Sequence, residues 1–415
     1  MFKKMKKIDK FKVYCSVIGV ILVLTCFIRA KITGITYDEA FTYAYYVQKN
    51  PIDVFKTMFI KGTLANNHLL NSFFISLFQC IIKNHKYSEL LIRLPNLIFY
   101  IIYITYSYKI SKNKKYKYLL FTLLVGNYAH YEFFGMARGY GIASTFIIAA
   151  IYYLNKYNEL NKYKYLNISY FLSILACFSN TVSLIIFASI LVYSYILLLK
   201  DKKVFNYIKN NWHYIIGIII LTLLLIKYHF MVSEGTLPTY GSNDNFFESF
   251  IISLVSSYGF SKFKVVIGIL LSLLMMILII KKIKNKEQLN ISLLTFICIV
   301  LLIIMTLFTK QKWITGRSLI PFFPVITITI YYALEELIDI KILINLIIVC
   351  LYVNFIINFN LHHTREWIDD YQIKNKCYQA YYLKNKLLIE DIKGHPSTNF
   401  YREKIIYLYD YDIYN

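Results

Sequence analysis

The sequence predicts an all-α membrane protein whose helices cross the bilayer many times. Hydrophobic residues make up 58% of the chain and charged residues only 17%, whereas a soluble domain carries about a quarter charged residues. The hydrophobic residues are gathered into runs of about 16 to 20 residues, the length with which a helix spans roughly 30 Å of hydrocarbon. These runs lack the alternation of apolar and polar residues typical of a membrane barrel. We therefore expect helices, which satisfy their own backbone hydrogen bonds in lipid.

Eleven such runs are predicted to be transmembrane helices. The first, 13–30, follows a basic N-terminal segment, and no small-residue cleavage pattern comes after it, so we expect an uncleaved helix rather than a signal peptide. A shorter apolar segment, 68–82, contains Asn71 and Gln79 and is either a short span or a helix at the membrane interface. The other ten predicted spans are 90–108, 118–134, 138–154, 165–180, 182–199, 213–229, 264–280, 289–308, 319–334 and 342–358.

The lysine residues favour the interfacial alternative for 68–82. If this segment stays outside the membrane, every lysine-rich connector lies on the cytoplasmic side with the N-terminus, as the positive-inside rule requires. These connectors are 109–117, 155–164, 200–211 and 281–288. We therefore predict a multi-pass protein of a bacterial plasma membrane, with a large first outer loop at 31–89 that carries juxtamembrane helices. The domains are then a transmembrane unit, 1–358, and a short outer tail, 359–415.

The formal net charge of +23 does not indicate a nucleic-acid partner. The lysines crowd the short connectors between apolar runs instead of forming one basic stripe, which is typical of cytoplasmic loops. Membrane lipids are the expected surroundings of the chain.

An acidic pair, Asp38 and Glu39, follows the first predicted helix on the outer side. Two neighbouring carboxylates repel each other's charge, which raises a pKa and suits one of them to act as a general base. An isolated pair of this kind is more often a solvated feature of a loop. The pair could also bind a divalent cation through its oxygen atoms.

Asn67 and His68, preceded by Asn66, stand directly before the interfacial helix. A histidine beside amides can donate hydrogen bonds to a sugar or a phosphate. The alternative is that these residues cap the helix, a position that asparagine favours.

Three arginines, Arg93, Arg138 and Arg317, lie at the outer ends of predicted spans. Arginine is costly inside a membrane, but its planar fork fits phosphate oxygens at the membrane edge. The alternative is an interfacial arginine that reaches lipid headgroups. After Arg138, two glycines flank Tyr140 and permit a close approach of the backbone.

Taken in order, five short motifs resemble those of the GT-C membrane glycosyltransferases. The most similar branch contains the bacterial relatives of protein O-mannosyltransferases and aminoarabinose transferases. The resemblance is dense over 30–155 and returns at 313–324, with a weaker echo at Thr364–Trp367, whereas Leu69 stands where relatives often have proline. The motifs are Tyr37–Asp38–Glu39, Asn66–Asn67–His68, Arg93–Leu94–Pro95, Ala137–Arg138–Gly139–Tyr140 and Gly316–Arg317 with Ile320–Pro321.

The resemblance implies a GT-C fold and the transfer of a sugar, with inversion, from a polyprenyl-phosphate carrier to a glycan, lipid or protein acceptor. It implies that the catalytic carboxylate is Asp38, with Glu39 second. No cofactor is assigned, although a divalent cation, Mg²⁺ or Mn²⁺, is compatible with the family. The residues expected to bind substrate are Tyr37, Asn67, His68, Arg93, Arg138, Tyr140 and Arg317.

Two alternative functions remain open. A transporter or flippase of lipid-linked sugars would show internal repeats, broken helices and charges near mid-membrane. A glycan polymerase or ligase would carry its arginines in a large late outer loop. Here the ionisable residues lie at helix ends and begin directly after the first helix, which favours the transferase.

Overall fold

The computed structural model describes residues 9–47, 50–60, 67–82, 87–235, 241–259, 264–284, 291–309 and 312–414. The description covers the backbone but not the side chains at residues 230–235, 271, 274–275, 278–284 and 309. Within these ranges the chain forms eighteen α-helices with short 3-10 and π-helical segments between some of them. The one β pairing described is an isolated bridge between Ser242 and Trp313. The predicted all-α class is confirmed.

The helices are numbered here in chain order. They are α1 (Lys10–Ile32), α2 (Tyr37–Thr42), α3 (Pro51–Lys56), α4 (Leu69–Ile81), α5 (Glu89–Ser111), α6 (Lys117–Val125), α7 (Tyr128–Glu132), α8 (Gly139–Leu160), α9 (Tyr163–Ser179), α10 (Leu184–Lys200), α11 (Val204–Gly235), α12 (Ser253–Ser257), α13 (Lys264–Lys284), α14 (Ile291–Thr309), α15 (Phe323–Leu337), α16 (Lys341–Asn358), α17 (Tyr371–Leu383) and α18 (Pro396–Tyr409).

Seven helices of the described chain are long and apolar enough to cross a membrane, and an eighth span arises if the bent pair of α7 and α8 counts as one. The seven contain α1, α5, α10, α11, α14, α15 and α16. The chain is therefore a multi-pass membrane protein. The other four of the eleven predicted spans fall in α6–α7, α8, α9 and α13 and, apart from the bent pair of α7 and α8, stay predictions.

The predicted span 118–134 is wrong as a single straight helix. The helix α6 ends at Val125, and Asn127 starts α7 because its side chain accepts a hydrogen bond from the His130 N–H at 3.0 Å. A 3-10 turn over Phe133–Gly135 follows, and the chain then bends by 116° into α8. Apolar residues lie on both sides of Gly126 and Asn127, so hydropathy hides a break that helix capping creates.

The spanning helices run alternately between two ends of the bundle. One end, here called the loop end, carries the described residues of the first loop (31–47, 50–60, 67–82 and 87–88) and the start of α5. The other, the lysine end, carries the start of α1 and the connectors 109–117, 155–164 and 200–211. The loop end is also where α11 returns, because Tyr228 donates a hydrogen bond to the Asn67 carbonyl at 2.5 Å. Which of the two ends faces the outside of the membrane stays a prediction.

The segment 68–82 forms the helix α4, as predicted. It has 13 residues and covers about 20 Å at 1.5 Å per residue, less than the roughly 30 Å of a hydrocarbon core. One face, which includes Leu69, Asn71 and Ile75, is buried.

The C-terminal segment folds over the loop end. Ile373, Phe400 and Tyr401 share a hydrophobic cluster with Ile35 and Tyr43 of the first loop. The hydroxyl of Tyr401 accepts a hydrogen bond from the Ile35 N–H at 2.8 Å. The tail is thus packed on residues 31–89, and a boundary at 358/359 stays a prediction.

Candidate active site

Asp38 lies in the first turn of α2, buried at the loop end. Thr36 starts this helix with a capping box: its side chain accepts from the Glu39 N–H, and the Glu39 carboxylate accepts from the Thr36 N–H. Successive helix residues point about 100° apart. Asp38 and Glu39 therefore face different surroundings although they are neighbours in the sequence.

Two arginines from distant parts of the chain contact the Asp38 carboxylate. Its Oδ2 atom lies 3.3 Å from Nη2 of Arg138 and 3.1 Å from Nη1 of Arg317. Arg138 also donates to the Asp38 carbonyl and to the Thr42 hydroxyl, both at 3.4 Å. The exposed fractions of the Asp38, Arg138 and Arg317 side chains are 4%, 2% and 10%. These three residues, here called the ion triad, are largely withdrawn from water, where charges interact more strongly than at a surface.

The bend before α8 positions Arg138. The backbone of Arg138 is extended and Arg138 is the N-cap of α8. Its side chain therefore leaves the chain next to the first turn of that helix. The next residue is Gly139, where an added Cβ would lie 1.9 Å from the Ser179 carbonyl oxygen and 2.7 Å from the His68 Cβ. Only glycine permits this approach, which brings the ends of α8 and α9 together beside Asp38.

Arg317 reaches Asp38 from the 3-10 segment Gly316–Phe322 that precedes α15. Gly316 adopts a left-handed conformation with φ of +54°, which glycine reaches at little steric cost. The Arg317 guanidinium lies over the indole of Trp367, 4.7 Å from the ring centroid. Trp367 belongs to the tail, to which the sequence assigned no role at the site.

Glu39 forms a second, completely buried ion pair with Arg93 of α5. The guanidinium donates from Nε at 2.8 Å and from Nη2 at 2.6 Å, and both side chains are 0% exposed. The other N–H groups of Arg93 donate to the carbonyls of Ala30, Thr33 and Gly34 at the end of α1. An arginine has five N–H donors, and all five of Arg93 are thus used inside the protein.

The Glu39 carboxylate is equally saturated. Besides Arg93 it accepts from the Ala137 N–H at 2.6 Å and from the N–H and hydroxyl of Thr36 at 3.0 and 3.1 Å. Burial alone raises the pKa of Glu39, but the charge and hydrogen bonds of Arg93, with the two N–H groups, more than offset it and hold the pKa below its ordinary value. Neither Glu39 nor Arg93 has capacity left for a substrate in this arrangement.

His68 is the N-cap of α4 and lies beside the ion triad. Its Nδ1 atom is 3.1 Å from the Ser179 carbonyl oxygen, and its ring packs edge-on against Tyr140 at 4.9 Å. Burial lowers the pKa of His68 well below its ordinary value, and the charges of Arg138 and Arg317 lower it further. The structure therefore brings His68 and Tyr140 together with the triad.

Asn67 lies close by in sequence but is used within the loop. Its side-chain amide donates to Thr57 at 2.9 Å and accepts from Ser72 at 3.0 Å. Asn71, which sequence reasoning treated only as an interruption of an apolar run, donates to the Ala137 carbonyl at 3.0 Å and so fixes the backbone before Arg138. Asn66 lies outside the described residues.

Tyr37 points away from the triad, toward the tail. Its side chain is 41% exposed and its ring packs edge-on against His395 at 5.0 Å. Its backbone N–H donates to the Asp370 carboxylate at 2.6 Å. In this structure Tyr37 joins α2 to the tail and is not next to Asp38's arginines.

A third buried ion pair was missed by sequence reasoning. Arg29, in the last turn of α1, donates to Glu132 of α7 at 2.6 Å, and the exposed fractions are 0% and 2%. Both residues sit inside predicted apolar spans, where isolated charges are costly, and that cost is the signal that could have identified them.

The surroundings of Asp38 do not fit a divalent cation. Mg²⁺ and Mn²⁺ take oxygen ligands, whereas the Asp38 carboxylate faces two guanidinium groups, and Glu39 is saturated by donors. Within the described residues, no group of three or more His, Cys, Asp and Glu side chains is placed to hold a metal ion.

Neither a protein-family model nor a curated protein sequence matches the chain. Among solved structures, the chain is similar to ArnT from Cupriavidus metallidurans in the apo state. The TM-score is 0.52 and the identity 12%, with 94% of this chain and 74% of the ArnT chain covered. At this identity the likeness shows the fold alone. ArnT has the GT-C fold, and the chain therefore has the GT-C fold that its five motifs predict.

Proposed function

We propose that the protein is a membrane glycosyltransferase that moves a sugar from a polyprenyl-phosphate carrier to an acceptor hydroxyl at the outer face of a bacterial plasma membrane. The observation that carries this proposal is the ion triad: a buried carboxylate held against two arginines at one end of a GT-C fold. The lysine-rich connectors 109–117, 155–164 and 200–211 lie at the opposite end, which supports an outward-facing site.

Direct displacement at the anomeric carbon needs a base and a means to stabilise the leaving phosphate. Asp38 takes the proton of the acceptor hydroxyl as the acceptor oxygen bonds to the anomeric carbon. The bond from that carbon to the phosphate oxygen breaks, and its electron pair leaves with the polyprenyl phosphate. The configuration of the sugar is inverted in this single step.

Arg138 and Arg317 stabilise the negative charge that develops on the departing phosphate. Their guanidinium forks match phosphate oxygens. Before substrate arrives, both arginines form ion pairs with the Asp38 carboxylate. A bound phosphate would compete for them and release the carboxylate for proton transfer.

Glu39 and Arg93 position this machinery instead of touching substrate. The pair fixes the end of α1, the start of α2 and the Ala137 N–H next to Arg138. Within the Asp-Glu motif, Asp38 is therefore the catalytic base and Glu39 a positioning residue.

The test is mass spectrometry of surface glycans from cells that produce the protein, from a deletion strain and from the deletion complemented with Asp38→Asn. The matched control is Asp53→Asn, an acid of the same loop that is 42% exposed and paired with Lys56. We expect one sugar to vanish from a defined acceptor in the deletion and Asp38→Asn strains and to remain with Asp53→Asn. A wild-type glycan profile for Asp38→Asn at normal protein level, with a sugar lost in the deletion, would refute the assignment and favour transport.

A further inference from the structure

The hydrogen bond between His68 and Ser179 fixes which ring nitrogen carries the proton. The Ser179 carbonyl oxygen can only accept, so the Nδ1 atom 3.1 Å away must donate. In the neutral ring the other nitrogen, Nε2, then carries a lone pair and can only accept a hydrogen bond.

Nε2 of His68 is buried, and no hydrogen-bond partner for it occurs among the described residues. The residue is 6% exposed, its ring packs edge-on against Tyr140, and Gly139 lies next to its Cβ. A buried acceptor without a donor costs free energy, and it lies beside Arg138 and Arg317, whose charges act on the ring.

We propose that Nε2 of His68 accepts a hydrogen bond from a non-reacting hydroxyl of the transferred sugar. This inference rests on the proposed function. A lone pair requires a donor, and a phosphate ester that is ionised at neutral pH offers only acceptor oxygens. His68 therefore contacts a hydroxyl of the sugar, and the two arginines bind the phosphate.

The acceptor's own reacting hydroxyl is excluded by proton counting. That hydroxyl has one proton, which Asp38 takes, so none is left for His68. His68 lies beside Arg138 and Arg317, which bind the phosphate, and the hydroxyls of the sugar attached to that phosphate are the nearest donors.

His68 does not compete with Asp38 as the proton acceptor. Burial lowers the pKa of its imidazole well below the ordinary value, and Arg138 and Arg317 lower it further. An imidazolium formed there would be desolvated beside two positive charges. His68 therefore binds a hydroxyl without removing its proton.

Three substitutions in the complemented deletion strain separate a hydroxyl from a phosphate contact. His68→Leu removes the acceptor, and His68→Lys replaces it with a cation that suits phosphate but cannot accept. His68→Gln keeps an oxygen that can accept at the position of Nε2. With protein level and melting temperature measured for each, we expect sugar transfer to fall by about 10-fold or more in the Leu and Lys variants and to fall less in Gln.

Each other outcome overturns the inference. Retained transfer in His68→Lys would indicate an anion contact, and retained transfer in His68→Leu would indicate no contact. Transfer in His68→Gln as low as in His68→Leu would show that the acceptor atom at the position of Nε2 has no role. A loss with Asp38→Asn alongside activity in His68→Lys refutes this inference alone. No loss with Asp38→Asn refutes the proposed function itself.

Donors that lack one hydroxyl each provide the second measurement. Once glycan mass spectrometry identifies the sugar, purified full-length protein is assayed with the complete lipid-linked donor and with each deoxy analogue. Wild type should discriminate against one analogue by about 10-fold or more, and His68→Gln should reduce and His68→Leu remove that discrimination. Equal discrimination in wild type and His68→Leu for every analogue would refute the contact.

Discussion

Glu39→Gln tests whether the two neighbouring carboxylates have separate roles. Glutamine has nearly the same shape as glutamate, so the substitution removes the charge and little else. Arg93 would remain buried at 0% exposure without its counter-ion. We expect the Glu39→Gln protein to lose stability.

The magnitude follows from the burial of the pair. An exposed ion pair contributes about 0–1 kcal/mol, whereas breaking a buried pair by removing one partner costs about 3–5 kcal/mol. The Glu39–Arg93 pair belongs to the second group, with two hydrogen bonds of 2.6 and 2.8 Å. The new amide would also present N–H groups to donors such as the Ala137 N–H. We therefore expect the free energy of unfolding to fall by about 3–5 kcal/mol.

The assay is a denaturant titration of purified protein in detergent, followed by intrinsic fluorescence. Asp53→Asn is the matched control, because its pair with Lys56 is exposed, and it should change the free energy of unfolding by less than about 0.5 kcal/mol. An unfolding free energy for Glu39→Gln within 1 kcal/mol of wild type, by the precision expected of such titrations, would refute the reasoning.

The pH dependence provides a second check on the same pair. The pKa of Glu39 is held below its ordinary value in the folded protein, so its contribution to stability is complete above the unfolded pKa of about 4.3. That contribution is lost as the pH falls through the folded pKa. The difference between wild type and Glu39→Gln should be constant near neutral pH and shrink in acid.

Three further substitutions extend the reasoning to the rest of the site. Arg317→Ala should lower sugar transfer by roughly 10²- to 10³-fold, whereas Arg402→Ala in the tail, paired with Asp412, should leave the glycan profile unchanged. Trp367→Leu removes a cation–π contact of about 0.5–2 kcal/mol, so transfer should fall less than in Arg317→Ala. Gly139→Ala, whose Cβ would meet a carbonyl oxygen at 1.9 Å, should lower the melting temperature clearly, and Gly217→Ala, with nothing within 4 Å, should not.

The sequence could predict which end of the bundle holds the charged cluster. Short basic connectors are strongly constrained by the charge asymmetry of a membrane protein, and assigning them to one side put Asp38, Arg138 and Arg317 on the other. Residues that are far apart in the chain were thereby restricted to one thin layer. Their contact in the folded protein follows that restriction closely.

The different partners of Asp38 and Glu39 in the folded protein could not be predicted in the same way. A two-residue motif does not say which carboxylate faces which neighbour until the helix α2 sets a rotation of about 100° between them. Arg93 was expected to bind substrate because an arginine at a span end suits phosphate. Its five internal hydrogen bonds depend on where α1 ends, which no local pattern fixes.

The partner of Arg317 lies in a part of the chain that the sequence treated as an appendage. Trp367 reaches the site because the tail folds back over the loop end, and such long-range docking leaves no periodic signal. The break at Gly126 was missed for the opposite reason. There the signal was local, an asparagine at position 127 that caps a helix, but the apolar residues on both sides outweighed it.

The two buried ion pairs beneath the site explain how each arginine of the triad is held. Glu39 and Arg93 join the end of α1 to the Ala137 N–H, directly before Arg138. Through a different route, Arg29 bonds Glu132 at 2.6 Å and donates to the tail carbonyls of Asn360 and His363 at 3.0 and 2.9 Å, and Glu132 also accepts from the Arg365 N–H at 3.2 Å. This second pair fixes the tail two residues before Trp367, on which Arg317 lies. Each phosphate-binding candidate is thus positioned by its own desolvated pair. Arg29 belongs to the last turn of α1, and Arg93 donates to the Ala30 carbonyl of the same turn. Because buried pairs cost several kcal/mol to break, the end of α1 acts as a rigid base from which Asp38 and both arginines are oriented.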